Sequence, residues 1–190
     1  MNEPEPERTW DAELAEWYAA RYGDYATNRL GVEAITLTPT DAVLDVGCGT
    51  GAALRHAAPR VPDGDLVGVD PVPRMVEIAE EHTKVRHDCT HVRYLVGSAE
   101  ALPVPGAAFD VVLAFDSFDH WQNPAVGLAE VLRVLKPTGR LVVVKDTGVA
   151  SMRVFPDAAR AAGFEVVRES DHEGEGVTFT LWECRPAATP

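Results

Sequence analysis

Three alternate glycines, Gly47, Gly49 and Gly51, follow the short apolar run Ala42-Val43-Leu44-Asp45-Val46 and lead into a helical stretch. Lacking Cβ atoms, such a loop lets backbone N–H groups and a helix N-terminus approach a ligand closely. A tight turn alone rarely needs three alternate glycines. A second acidic residue lies 19 positions after Gly51, in Leu66-Val67-Gly68-Val69-Asp70-Pro71. At the end of a strand, the two oxygens of Asp70 can accept both hydroxyls of an adenosine ribose. The plainer role for Asp70 is to cap the next helix. The stretch Gly47 to Ala52 also satisfies the G-x-G-x-x-G/A pattern of dinucleotide sites, so the loop alone does not choose between cofactors.

A second group of residues could move protons. The segment Phe115-Asp116-Ser117-Phe118-Asp119-His120-Trp121-Gln122-Asn123 follows an apolar strand, at the end where open α/β sheets place ligands. Within it His120 is the candidate general base, Asp116, nearer the strand end, a candidate contact for the amine of a bound cofactor, and Trp121 an apolar wall. The plain alternative for His120 is a neutral imidazole bonded to a neighbouring carbonyl, and for Asp119 a surface or capping role. His82, His87, Cys89 and His91 crowd together, but their spacing matches no paired-ligand pattern and no metal is expected there.

These residues need a frame to hold them. Short apolar strands are expected at 42–46, 66–69, 92–96, 110–114 and 140–145, alternating with helices near 51–58, 74–81 and 124–135. Asn123 is the cap and Pro124 the first residue of the last of these. Such alternation predicts βαβ units and a mostly parallel sheet with helices on both faces. A further helix is expected near 156–162. Strands 164–168 and 177–184, joined through the polar segment 169–176, should pair antiparallel. Upstream, Trp10, Leu14, Trp17, Tyr18, Arg21 and Tyr22 recur at helical spacing after Thr9, and a second helix is expected from Tyr25 to Leu37.

Composition narrows the function classes. The 190 residues suit one domain, and 46% hydrophobic content suffices for a core. A formal charge of −13 with no Lys/Arg run disfavours nucleic acid and anionic membrane. No apolar run reaches the roughly 20 residues that span a bilayer. Three irregularly spaced cysteines, Cys48, Cys89 and Cys184, argue against a disulfide framework and for a reducing cytoplasm. The acidic, Pro-rich start reads as a frayed tail over 1–8, followed by a helical segment over 9–38 and the main domain over 39–190.

Val43 to Gly51, with Asp45 two residues before the first glycine, resembles motif I of class I S-adenosylmethionine-dependent methyltransferases. Gly97-Ser98-Ala99-Glu100-Ala101-Leu102-Pro103 with Phe109-Asp110-Val111-Val112 is similar to the stretch between their third and fourth strands. Leu132 to Leu141 is similar to their turn into strand five. The resemblance implies a single Rossmann-like, doubly wound α/β domain: a seven-stranded, mostly parallel sheet with an antiparallel last strand. It implies S-adenosyl-L-methionine as cofactor, S-adenosyl-L-homocysteine as product, and a small-molecule acceptor, in a monomer or homodimer.

Residue by residue, the resemblance gives Asp45 and the backbone of Gly47, Cys48, Gly49 and Gly51 the methionine end, and Asp70 with Pro71 the ribose. Ser98, Ala99 and Glu100 fall to the adenine, with Phe115 beside the cofactor. The family usually carries Asp where Ser98 stands, and an uncharged hydroxyl accepts more weakly. Relatives often show a His-His pair near 119–120; His120 matches its second member and Asp119 replaces the first. Trp17 to Tyr22 is similar to the aromatic N-terminal helix that closes over the cofactor in many relatives, which implies an N-terminal helical lid over 9–38 and makes Tyr18 and Tyr22 candidates for contact with bound molecules, and Arg21 a candidate partner for a carboxylate. Two other readings stay open: a cofactor-binding protein acting through partners, and an NAD-linked oxidoreductase, which the short remainder after strand five disfavours.

Overall fold

The computed structural model describes residues 11–147 and 154–188. Along the chain run α1 (Ala12–Tyr22), α2 (Ala26–Glu33), β1 (Ala42–Val46), α3 (Ala52–Ala57), β2 (Asp65–Asp70), α4 (Pro73–Lys84) and β3 (Val92–Val96). They continue with β4 (Phe109–Phe115), α5 (Pro124–Val134), β5 (Leu135–Asp146), α6 (Phe155–Ala161), β6 (Phe164–Gly174) and β7 (Val177–Pro186). The seven strands form one sheet in the order β3-β2-β1-β4-β5-β7-β6, with β7 antiparallel to both neighbours and the β3-to-β5 pairings parallel.

Because side chains alternate across a strand, each central strand feeds two cores. Leu44, Val112 and Val143 pack with Leu128 and Val131 of α5 and Phe155 of α6 on one face. Val43, Leu113 and Val144 pack with Val32 of α2, Leu54 of α3 and Val76 of α4 on the other. Burial on both faces explains why the strands read as unbroken apolar runs, the pattern of a covered parallel sheet. Among the described residues no helix is long and apolar enough to cross a membrane.

Local chemistry sets the helix ends. The Asn123 side chain accepts from the Val126 N–H at 3.3 Å, and Pro124 opens α5 as the sequence predicts. The Thr9 cap and the tail over 1–8 lie outside the described residues; at the start of α1, Asp11 accepts from Leu14 N–H at 2.9 Å. The second helix stops at Glu33 rather than Leu37. Pro39 disfavours helical geometry just before it, and Ile35 and Leu37 are buried from an irregular segment instead. The polar segment 169–176 is a tight hairpin, not an open connection. The ladder continues to Gly174 opposite Val177, closed by Glu175 and Gly176 at φ 51° and 80°. Two successive positive φ values match the right-handed twist of the flanking strands, while the acidic side chains of this edge stay in water.

Candidate functional site

The carboxyl ends of β1, β2, β4 and β5 surround a cavity of about 580 Å³, a volume typical of small-molecule sites. Its floor is the glycine loop. Gly47, Gly49 and Gly51 all have positive φ, 75°, 51° and 78°. A Cβ on Gly51 would lie 2.3 Å from the Tyr94 hydroxyl, so the loop is pressed against the protein there. A Cβ on Gly49 would meet nothing within 4 Å, because that residue faces the cavity.

Asp45 lines the cavity and is only 2% exposed. No donor among the described residues bonds to its carboxyl group. Burial, reinforced by the nearby Asp70 charge, pushes its pKa up to about 7. Asp70 Oδ2 accepts from Gly49 N–H and Oδ1 from Val72 N–H, both at 2.9 Å. It therefore ties the glycine loop to the end of β2, and α4 is capped from Val72 without a side chain. Burial raises the Asp70 pKa, while these two bonds oppose the rise.

Pro71, Cys48, Ser98, Ala99, Glu100 and Phe115 also line the cavity. Glu100 accepts from Asn123 N–H at 2.9 Å. Cys48 is buried, and desolvation holds its thiol well above the usual range.

The segment after β4 contributes Asp116, Asp119, His120 and Trp121 to the same cavity. Asp116 sits at φ 50°, a left-handed conformation uncommon for a residue with a side chain. Its Oδ2 accepts from Thr27 Oγ1 at 2.7 Å and its Oδ1 from Asp146 N–H at 2.8 Å, so it braces α2 against β5. Burial raises its pKa. His120 is exposed to the cavity at the end of a single 3-10 turn, and Trp121 packs against Phe118 and the backbone of Gly127.

Asp119, for which the sequence suggested a surface or capping role, pairs at 2.8 Å with Lys145 Nζ. Lys145, Asp146, Thr27 and Tyr25 escaped sequence reasoning. The signal was present: Lys145-Asp146 closes the apolar run of β5 with two charges at the strand end that faces ligands. Lys145 is buried at 6% exposure, and Tyr25 donates its hydroxyl proton to Asp146.

Above the sheet ends, Tyr18, Tyr22 and Tyr25 line the opposite wall. The turn between α1 and α2 is fixed to the glycine loop, since Thr50 Oγ1 donates to Gly23 O at 2.6 Å and Arg55 reaches both Thr50 O and Asp24. Arg74 of α4 pairs with Glu16 of α1 at 2.6 Å. Arg21 is not among the lining residues; its guanidinium lies over the Trp17 ring at 5.6 Å, outside the cavity. His91 and Cys89 bond to the carbonyls of Val61 and Arg55. Among the described residues no group of three His, Cys, Asp or Glu side chains is placed to hold a metal ion.

The fold and this cavity together define a Rossmann-like α/β domain, and comparison with known proteins gives the family. The model of the methyltransferase domain family matches residues 44–143, more than half the chain. The chain belongs to the class I S-adenosylmethionine-dependent methyltransferase family. Among curated relatives, an uncharacterized methyltransferase of Schizosaccharomyces pombe is 34% identical over 62% of this chain and 44% of its own length. Demethylmenaquinone methyltransferase of Deinococcus radiodurans is 37% identical over 63% and 48%. The chain thus spans about half the length of these two relatives. A solved S-adenosylmethionine-dependent methyltransferase from Aquifex aeolicus superposes with a TM-score of 0.76 at 21% identity, covering 93% of this chain and 99% of its own.

Proposed function

We propose that this protein transfers a methyl group from S-adenosylmethionine to a small-molecule acceptor. One observation carries the reading: a buried carboxyl group, Asp45, without a hydrogen-bond donor, opens onto the cavity beside a glycine loop whose Gly49 face is bare. Such a group is stabilised by a bound cation, and the ammonium of the methionine moiety supplies one. A dinucleotide pyrophosphate in the same place would set its negative charge against Asp45 and Asp70, which disfavours the oxidoreductase reading.

When bound, S-adenosylmethionine supplies an electrophilic methyl on a sulfonium that needs no protein acid to leave. The chain's own work is therefore positioning and exclusion of water. Asp45 and the loop would hold the methionine end, Asp70 the ribose, and the Ser98-Ala99 turn the adenine. Tyr18 and Tyr22 of α1, as a lid segment over residues 9–38, would cover the cofactor. His120 would take the proton of the acceptor, and Trp121 would form an apolar wall. A cavity of about 580 Å³ and the net charge of −13 support a small acceptor over a nucleic acid. The name of the Deinococcus radiodurans relative, a demethylmenaquinone methyltransferase, points the same way.

Calorimetry with S-adenosylhomocysteine and with NAD tests the reading. The first should bind at micromolar strength and the second not at all. NAD binding without a response to S-adenosylhomocysteine would refute it.

A further inference from the structure

We propose that the methyl acceptor is an amine, recognised as its ammonium by the carboxylates at the ends of β4 and β5 and by the tyrosines that share their cavity. The inference rests on the methyltransferase reading and adds the chemical class of the acceptor. Once Asp45 and Asp70 are assigned to the cofactor, the remaining end of the cavity is bounded by Asp116, Asp119 and Asp146. Against these three carboxylates stands one cation among the described lining residues, Lys145. That lysine is already engaged, 2.8 Å from Asp119 and 3.9 Å from Asp116. It neutralises part of the acidic set and does not present a free charge to an incoming anion.

The tyrosines that line the same cavity point to the same ligand. Tyr25 is anchored by its hydroxyl to Asp146, and its ring meets Tyr22 at 5.8 Å, which in turn meets Tyr18 at 5.0 Å. Aromatic rings and carboxylates in one lining both attract an ammonium group, since the negative face of a π system and a carboxylate act in the same sense. An acceptor bearing a carboxylate or phosphate would instead meet an excess of acidic groups over the one lysine of the described lining, which is already paired.

The chemistry balances. The bound ammonium gives its proton to the His120 imidazole and becomes a neutral amine. The nitrogen lone pair then forms the N–C bond to the methyl as the S–C bond breaks and its electron pair returns to sulfur. The products are a methylated ammonium and the neutral thioether S-adenosylhomocysteine.

The test is calorimetry on protein loaded with S-adenosylhomocysteine, using triplets of amine, alcohol and carboxylate built on propyl, phenylethyl and indolylethyl bodies. In at least one triplet the amine should bind tenfold or more tighter than the alcohol, with no heat from the carboxylate. Asp119→Asn should weaken that amine at least threefold while S-adenosylhomocysteine affinity stays unchanged. Tyr22→Leu, an exchange at a half-buried position, should weaken it similarly. Equal or tighter binding of an alcohol or carboxylate, no amine binding in any triplet, or indifference of the amine to both variants would overturn the inference alone. Failure to bind S-adenosylhomocysteine would instead overturn the methyltransferase reading, and the inference would fall with it.

Discussion

Replacing Asp45 by asparagine should make the apoprotein more stable at pH 8 and a poorer cofactor binder, and the two effects have one cause. Asp45 is buried without a donor, and its pKa stands at about 7 against an ordinary 3.8. The folded state therefore keeps a proton that the unfolded chain loses, and wild-type stability falls as pH rises from about 4 to 7. A difference of roughly three pH units at 1.36 kcal/mol each amounts to about 4 kcal/mol of destabilisation above pH 7. Between pH 5 and pH 8 the portion that changes is about 2 to 3 kcal/mol.

Asparagine has no charge to desolvate, although its amide must also be buried, at a cost of about 1 to 3 kcal/mol. The pH dependence of the stability difference, rather than its absolute size, therefore reports the Asp45 charge. The stability difference between Asp45→Asn and wild type, from urea titrations at the two pH values, should grow by about 2 to 3 kcal/mol on going to pH 8. In melting temperature that is roughly 5 to 10 °C for a domain of this size. Loss of Asp70's like-charge neighbour changes stability in the same sense. S-adenosylhomocysteine affinity should fall by about 1.5 to 3 kcal/mol, the range for a hydrogen bond to a charged group. A stability difference independent of pH would refute the assignment of a raised pKa to Asp45, and unchanged affinity would remove it from the cofactor site.

Gly49→Val should abolish cofactor binding while circular dichroism still reports a folded domain, because its Cβ would point into the cavity rather than into protein; strain at φ 51° should cost about 1 to 2 kcal/mol. For Asp70→Ala, binding should weaken by about 1.5 to 3 kcal/mol and the melting temperature should also drop, since the Gly49 and Val72 N–H groups lose their acceptor; a normal affinity would leave Asp70 as a brace only. His120→Ala, assayed with an identified acceptor, should slow turnover by about 100-fold to 10,000-fold with cofactor affinity intact, whereas a wild-type rate would assign the proton elsewhere. Asn123→Ala should lower stability by about 1 kcal/mol through loss of the α5 cap, with no change in ligand affinity, because the Glu100 contact is made by the Asn123 backbone N–H and remains.

The sequence by itself determined the frame and the cofactor loop. β1 and β3 fall on the expected residues because covered parallel strands are short apolar runs with sharp ends. The Asn123-Pro124 start of α5 is equally local, and the glycines announce a backbone that other residues cannot adopt. Even the antiparallel pairing of β6 with β7 followed from the shortness of their connection. The hairpin's full length did not, because the backbone ladder of an edge strand leaves no hydrophobic period in exposed acidic residues. Only the tertiary structure decided what the charges near the cavity do. Lys145, Asp119, Asp116, Asp146, Thr27 and Tyr25 come from three separate segments, and no spacing along the chain records that they meet. Folding also gave Asp70 a second duty through Gly49, turned Arg21 out toward Trp17, and left Asp45 buried without a donor. Burial and pairing are properties of the space between elements, and one dimension carries the residues of that space without their distances.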